Sequence, residues 1–172
     1  RKLVGRMAVQ TGLAKPAVKP RETLNRKKNE EDGILVSQKI LLTWLIESED
    51  IFRQIEKYIT PDDFSGDLYR KVAKLLYEQY EKHEVNPAQI MNHFTDEEEH
   101  REVASLFHTK IKELTTVKEQ EKALQETILR VKDHSIAEAT KNLDPTDIQG
   151  LQRLMNEKRK MQDLKALHIS IN

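Results

Sequence analysis

The residues of this chain that could do chemistry are few. Adjacent carboxylates stand at Asp62-Asp63 and at Glu97-Glu98-Glu99, and the six histidines are His83, His93, His100, His108, His134 and His168. Two neighbouring aspartates could divide the roles of general acid and general base. Here they follow Thr60-Pro61, and Thr at a cap, Pro at the first helical position and a carboxylate at the third are together the pattern of a helix start. The glutamate run follows Thr95-Asp96 in the first turn of another helix, where negative charge complements the helix dipole. No two histidines have the i, i+4 spacing that sets a pair of imidazoles on one helix face for a metal. The five glycines are scattered and build no phosphate-cradling loop. Trp44 and the tyrosines are spaced as core and rim positions, not as a platform for stacked bases. The expectation is therefore a segment with no catalytic, cofactor-binding or metal-binding residue.

The elements that would carry these residues are helical. Leu3, Val4, Met7 and Ala8 have helical spacing and end at Thr11-Gly12-Leu13, as the last helix of a preceding domain would. The stretch from Lys15-Pro16 to Gly33 is charged and poor in apolar residues, and reads as a flexible basic linker. From Ile34 the apolar period is helical: Ile40, Leu41, Trp44 and Leu45 with Ser37 as a cap, then Ile51, Phe52, Ile55 and Ile59. Leu68, Val72, Leu75 and Leu76 follow the pause at Ser65-Gly66. Asn86-Pro87 caps a short helix with Ile90, Met91 and Phe94, and Thr95-Asp96-Glu97-Glu98 reads as a capping box before Val103, Leu106, Phe107 and Ile111. Thr116-Val117-Lys118-Glu119 opens a long helix with no Gly or Pro before Leu143. Asp144-Pro145 breaks it, and a last apolar-periodic stretch continues nearly to Asn172. No alternating strand pattern exceeds a few residues. The predicted fold is all-α: a multi-helix bundle subdomain over 34–115, then a long strut helix and a C-terminal antiparallel helical hairpin over 116–172, with 1–33 as the end of a preceding domain and its linker.

In the long helix, Val117, Leu124, Ile128 and Val131 share one face, and Leu129, Ile136 and Leu143 another about 100° around it. The first half should pack on the bundle and the second on the last helix. In that last helix, Ile148, Leu151 and Met155 form one apolar edge, and Leu154, Met161 and Leu164 the other. This is broader than one neighbour needs, so one edge should close the hairpin and the other be exposed or meet a partner. Gly150 should mark a close approach or a flexible first turn.

Composition narrows the class. Hydrophobic residues are 37%, charged residues 34% and aromatics 5% of 172, the profile of a helical bundle with Lys/Glu-rich outer faces. With no cysteine, disulfides and thiolate metal sites are excluded and a reducing compartment fits. No apolar run is long enough to span a bilayer. The zero net charge conceals an asymmetry: residues 1–33 hold nine Lys or Arg and four Asp or Glu, the remainder twenty and twenty-five. An acidic body is a poor nucleic-acid platform, leaving only weak contact through the basic leader. The first residue is Arg1, so a piece of a longer polypeptide is expected.

Three segments together, Ser37-Gln38-Lys39-Ile40-Leu41-Leu42-Thr43-Trp44-Leu45, Ile59-Thr60-Pro61-Asp62-Asp63-Phe64 and Tyr69-Arg70-Lys71-Val72, resemble the helical bundle of bacterial primase C-terminal domains. The same pattern occurs in the N-terminal domain of the replicative helicase that primase binds. With the terminal hairpin, 34–172 is similar to the helicase-binding domain of a Bacillus-type primase, and 1–13 would be the end of its RNA polymerase domain. The resemblance implies a non-catalytic domain that docks on the N-terminal collar of the hexameric helicase and modulates it in the bacterial cytoplasm, at the replication fork. Zinc and divalent metal would belong to upstream domains, in a parent nucleotidyltransferase that makes RNA primers. It further implies a monomer in isolation and no membrane partner. The alternative is the helicase's own N-terminal collar, an oligomerisation domain. On the docking reading, Ile136 and Leu143 lie at the hairpin tip, Ile148, Leu151, Leu154, Met155 and Met161 supply apolar anchors, and Arg153, Lys158 and Arg159 form a charged rim.

Overall fold

The computed structural model describes residues 20–108 and 116–172. Among them are seven α-helices and no strand: α1 (Pro20–Glu47), α2 (Glu49–Ile55), α3 (Asp67–Glu81), α4 (Pro87–Asn92), α5 (Glu97–His108), α6 (Val117–Lys141) and α7 (Ile148–Ala166), with a 3-10 turn at Pro61–Asp63. No described helix is long and apolar enough to cross a membrane. The chain forms two compact units, Arg1–Asp32 and Gly33–Asn172. The predicted leader helix at 1–13 lies outside the described residues.

Residues 20–33, expected as a flexible linker, are helical in α1. The segment has no Gly or Pro between Pro20 and Gly33, and its Arg, Lys and Glu residues are good helix formers. Residues 24–32 are all exposed. Their polarity suits a solvent-facing surface and says nothing against a helical backbone. Ser37, expected as a cap, sits inside α1, where its Oγ donates to Gly33 O at 3.0 Å.

The core of Gly33–Asn172 begins with Leu41, Leu42 and Leu45 of α1, all fully buried. Ile51, Phe52 and Ile55 of α2, Val72, Ala73, Leu76 and Tyr80 of α3, Ile90 of α4, and Val103 and Leu106 of α5 close around them. Phe52 stacks on Tyr80 at 4.2 Å between centroids and meets Tyr77 edge-on at 4.8 Å. Tyr80 Oη donates to Leu45 O, and Tyr77 Oη to Ile59 O at 2.6 Å, so both hydroxyls enter the core with a partner. Burial and then the Glu49 charge push the Tyr80 phenol up to about 12, against an opposing Arg53.

Apart from Ser37, the expected caps start their helices with one shift of residue. Asn86 caps α4 and Thr116 caps α6 through their side chains, accepting from Gln89 N and Glu119 N. At α5 the cap is Asp96, whose Oδ2 accepts from Glu98 N and Glu99 N, both at 3.1 Å. The helix start expected from Thr95 thus falls one residue later, at an aspartate whose carboxylate accepts from two backbone donors at once.

The hairpin does not stand apart from the bundle. Leu124, Ile128 and Val131 of α6 belong to the same core as α1–α5, as do Leu164 of α7 and Ile169 beyond it. The predicted division between residues 115 and 116 is therefore bridged by shared apolar burial. Val117, expected on the same buried face, is 53% exposed. Helix α7 ends at Ala166, short of the expected run to Asn172, and the tail returns to the bundle. The Gln54 side-chain amide brackets Ser170, donating to its O at 2.9 Å and accepting from its N at 2.9 Å, while Glu121 Oε1 accepts from Ile171 N at 2.9 Å.

Helix α3 ends in a backbone cap that requires a left-handed residue. Glu84 N donates to Gln79 O at 3.0 Å and His83 N to Tyr80 O at 3.2 Å, and His83 has φ 56°. His83 is exposed, so only its backbone conformation is at issue. His83→Gly should raise unfolding stability in urea by about 1 kcal/mol, because a Cβ is penalised in this region, and His83→Val should lower it, because a β-branched side chain is penalised more than histidine.

Candidate partner-binding site

The hairpin turn is built by Asp144, whose Oδ1 accepts from Thr146 N at 2.9 Å and Thr146 Oγ1 at 2.8 Å. These bonds hold the Asp144 carboxyl below the ordinary aspartate range, the backbone bond foremost. Asp147 then caps α7, accepting from Gly150 N at 2.9 Å. Gly150 marks a close approach: a Cβ there would stand 2.8 Å from Leu143 Cδ1 and closer still to the Asp147 carboxylate.

Helix α7 runs antiparallel along most of α6. At one end Gln125 Nε2 donates to Leu164 O at 2.9 Å, and at the other Gly150 meets Leu143. The expectation that only the second half of α6 meets α7 is thus too narrow. Midway stands a buried ionic cluster. Lys132, with no exposure at all, donates to Asp63 Oδ1 at 3.1 Å, to Asp63 Oδ2 at 3.2 Å, and to Glu157 Oε2. Ser135 Oγ donates to Asp63 Oδ1 at 2.7 Å, and Thr60 N to Asp63 Oδ2 at 2.9 Å. Lys160 reaches Glu157 Oε1 at 3.0 Å.

Asp63, read from sequence as a capping residue, thus caps its turn and also ties that turn to α6, while Lys132 extends the link to Glu157 of α7. Its two oxygens accept four hydrogen bonds from Lys132, Ser135 and Thr60. The arrangement satisfies a buried charge and leaves this carboxylate no free lone pair directed at a substrate. Burial tends to raise the Glu157 pKa, but the bonds and charges of Lys132 and Lys160 outweigh it and hold the carboxyl below its ordinary value. Sequence reading passed over Lys132, Ser135 and Glu157. A signal existed: Lys132 lies one turn beyond Ile128 and two beyond Leu124, on the edge of the apolar face, where a cation needs a buried anion.

The residues expected to bind a partner fall into three groups. Ile148, Leu151 and Met155 form an outward strip on α7, 71%, 46% and 60% exposed, and Lys158 and Arg159 are exposed beside its continuation. Leu154 and Met161, expected as anchors, are instead buried, because they share the Leu164 edge that closes the hairpin. Ile136 and Leu143 are half-buried. Ile136, Arg153 and Arg159 line a groove of about 510 Å³ that also takes in Asp62 and Lys160. Arg153 also stands 3.9 Å from Asp147. Among the described residues, no group of three or more His, Cys, Asp and Glu is placed to hold a metal ion.

Two measurements test the cluster. Lys132→Met should lower unfolding stability in urea by about 3–5 kcal/mol, since it leaves Asp63 buried and unpaired. The same change made on an Asp63→Asn background should cost much less, and additive losses would show that the two residues are not coupled. Stability should also fall on acidification. Glu157 is depressed in the folded state, so its contribution is fully present above the unfolded glutamate pKa and is lost as pH drops through the folded value. Glu157→Gln should flatten that acid limb in a series of thermal melts. No family model, curated protein or solved structure matches this chain.

Proposed function

We propose that this chain is the helicase-binding segment of a bacterial DNA primase, a non-catalytic module that docks on the N-terminal collar of the hexameric replicative helicase. The observation that carries the reading is the strip Ile148–Leu151–Met155. Three large apolar side chains lie exposed on consecutive turns of one helix, while the opposite edge of that helix is held by the Lys132–Glu157 bond and the buried Leu154, Met161 and Leu164. A soluble domain gains nothing from displaying such a line to water, whereas a pre-ordered apolar ridge loses little entropy when a partner covers it. The resemblance of the helical segments at 37–45, 59–64 and 69–72 to primase C-terminal domains supplies the identity of that partner.

On this reading, docking raises the local concentration of the attached primer-synthesising domains beside newly exposed single strand in the bacterial cytoplasm. The energetic centre is the α7 strip. Ile136 and Leu143 then act as support beneath the hairpin tip, and Leu154 and Met161 as its packing.

The test separates display from folding. Leu151→Asp and Met155→Asp replace exposed side chains, so helicity and melting temperature should stay near those of the unmodified chain. Affinity for the cognate helicase, measured by sedimentation or calorimetry, should drop by roughly a hundredfold, the size expected for loss of a central apolar anchor. Undiminished affinity in both variants would rule out the strip as the anchor.

A further inference from the structure

The docking strip has a direction. Ile148, Leu151 and Met155 occupy the first two turns of α7, and the same outward line continues through Lys158 and Arg159, one turn beyond Met155. Both of these cations are exposed. Neither takes part in an ion pair among the described residues, unlike Arg153, which approaches Asp147, and Lys160, which binds Glu157. The ridge is therefore apolar near the hairpin turn and cationic toward its C-terminal half.

Resting on the docking reading above, we infer that the surface covered by α7 on the helicase collar is a helix face whose apolar strip ends in carboxylates, seated so that the carboxylates meet Lys158 and Arg159. Charge complementarity fixes which way round the two helices lie. An apolar ridge alone could be covered in either direction, whereas reversing this one would leave the two cations over apolar surface and the carboxylates over Ile148. Within Gly33–Asn172 exposed carboxylates gather at Glu47, Glu49 and Asp50 as well as at Asp96–Glu99, so pairing with a second copy of this chain is the rival outcome that the experiment must separate.

The experiment compares the full chain with Met155→Asp and with the double change Lys158→Glu/Arg159→Glu, each titrated against the cognate helicase at about 50 mM and about 300 mM salt. The expected result is a roughly hundredfold fall in affinity for Met155→Asp at both salts. The double charge reversal should weaken binding by roughly tenfold at low salt, and the gap should close at high salt. If the unmodified chain binds and the charge reversal leaves its low-salt affinity unchanged, the inference is overturned while the docking reading stands. If the unmodified chain does not bind at all, the docking reading falls and takes the inference with it. Sedimentation of the chain alone completes the test: self-association abolished by Met155→Asp would show that the strip pairs copies of this chain, and would also overturn the inference.

Discussion

A lysine ammonium with no access to water sets the main constraint on this fold. Lys132 lies in the middle of α6 with its charge between Asp63 and Glu157. Desolvating such a charge costs several kcal/mol, and only close, well-aligned anions offset that cost. The anions come from different places: one from the 3-10 turn between α2 and α3, the other from α7. Satisfying Lys132 therefore sets where the turn sits and the register at which α7 lies along α6. Apolar seams between helices tolerate sliding by a turn with modest loss, whereas a buried ion pair does not. The cluster acts as a locating pin, with the surrounding leucines and isoleucines supplying the bulk of the burial.

Once α7 is pinned, its two edges acquire separate roles. Leu154, Met161 and Leu164 enter the interior, the tail is clasped by Gln54 and Glu121, and Ile148, Leu151 and Met155 are left facing water. Rotating α7 about its axis to hide that strip would withdraw Glu157 from Lys132 and Leu164 from the core. The exposure is thus held in place by the satisfaction of a buried charge on the other side of the same helix. An apolar ridge supported in this way is pre-ordered, and on the docking reading little of the binding energy need go into arranging it.

Of the two adjacent aspartates that first invite a catalytic reading, Asp63 has structural work. Asp63 accepts four hydrogen bonds within the protein, and Asp96 caps α5 through two backbone donors. The histidine with the most unusual geometry, His83, is distinguished by its backbone φ at the end of α3. On the outer side of α7 an apolar line runs into Lys158 and Arg159, which form no ion pair among the described residues.

Much of the helical content was legible from local signals, because cap residues, the prolines at 61, 87 and 145, and 3.6-residue periodicity act within a few positions of one another. The two-edged character of α7 was legible for the same reason, as was the core role of Leu124, Ile128 and Val131. Sequence could not say which edge of α7 would face inward, because Ile148–Leu151–Met155 and Leu154–Met161–Leu164 are equally apolar. The choice was made by Glu157, whose partner is 25 positions away on another helix, and by the tail, whose clasp at Gln54 spans 116 positions. Residues 20–33 were misread for a related reason: their charge described a solvent-facing surface and left the backbone conformation open. Sequence by itself determined the helices and their apolar stripes through short-range sterics and hydrogen bonding. Tertiary structure alone decided which stripe is buried, which carboxylate is paired and which ridge is displayed, since those depend on contacts between elements far apart in the chain.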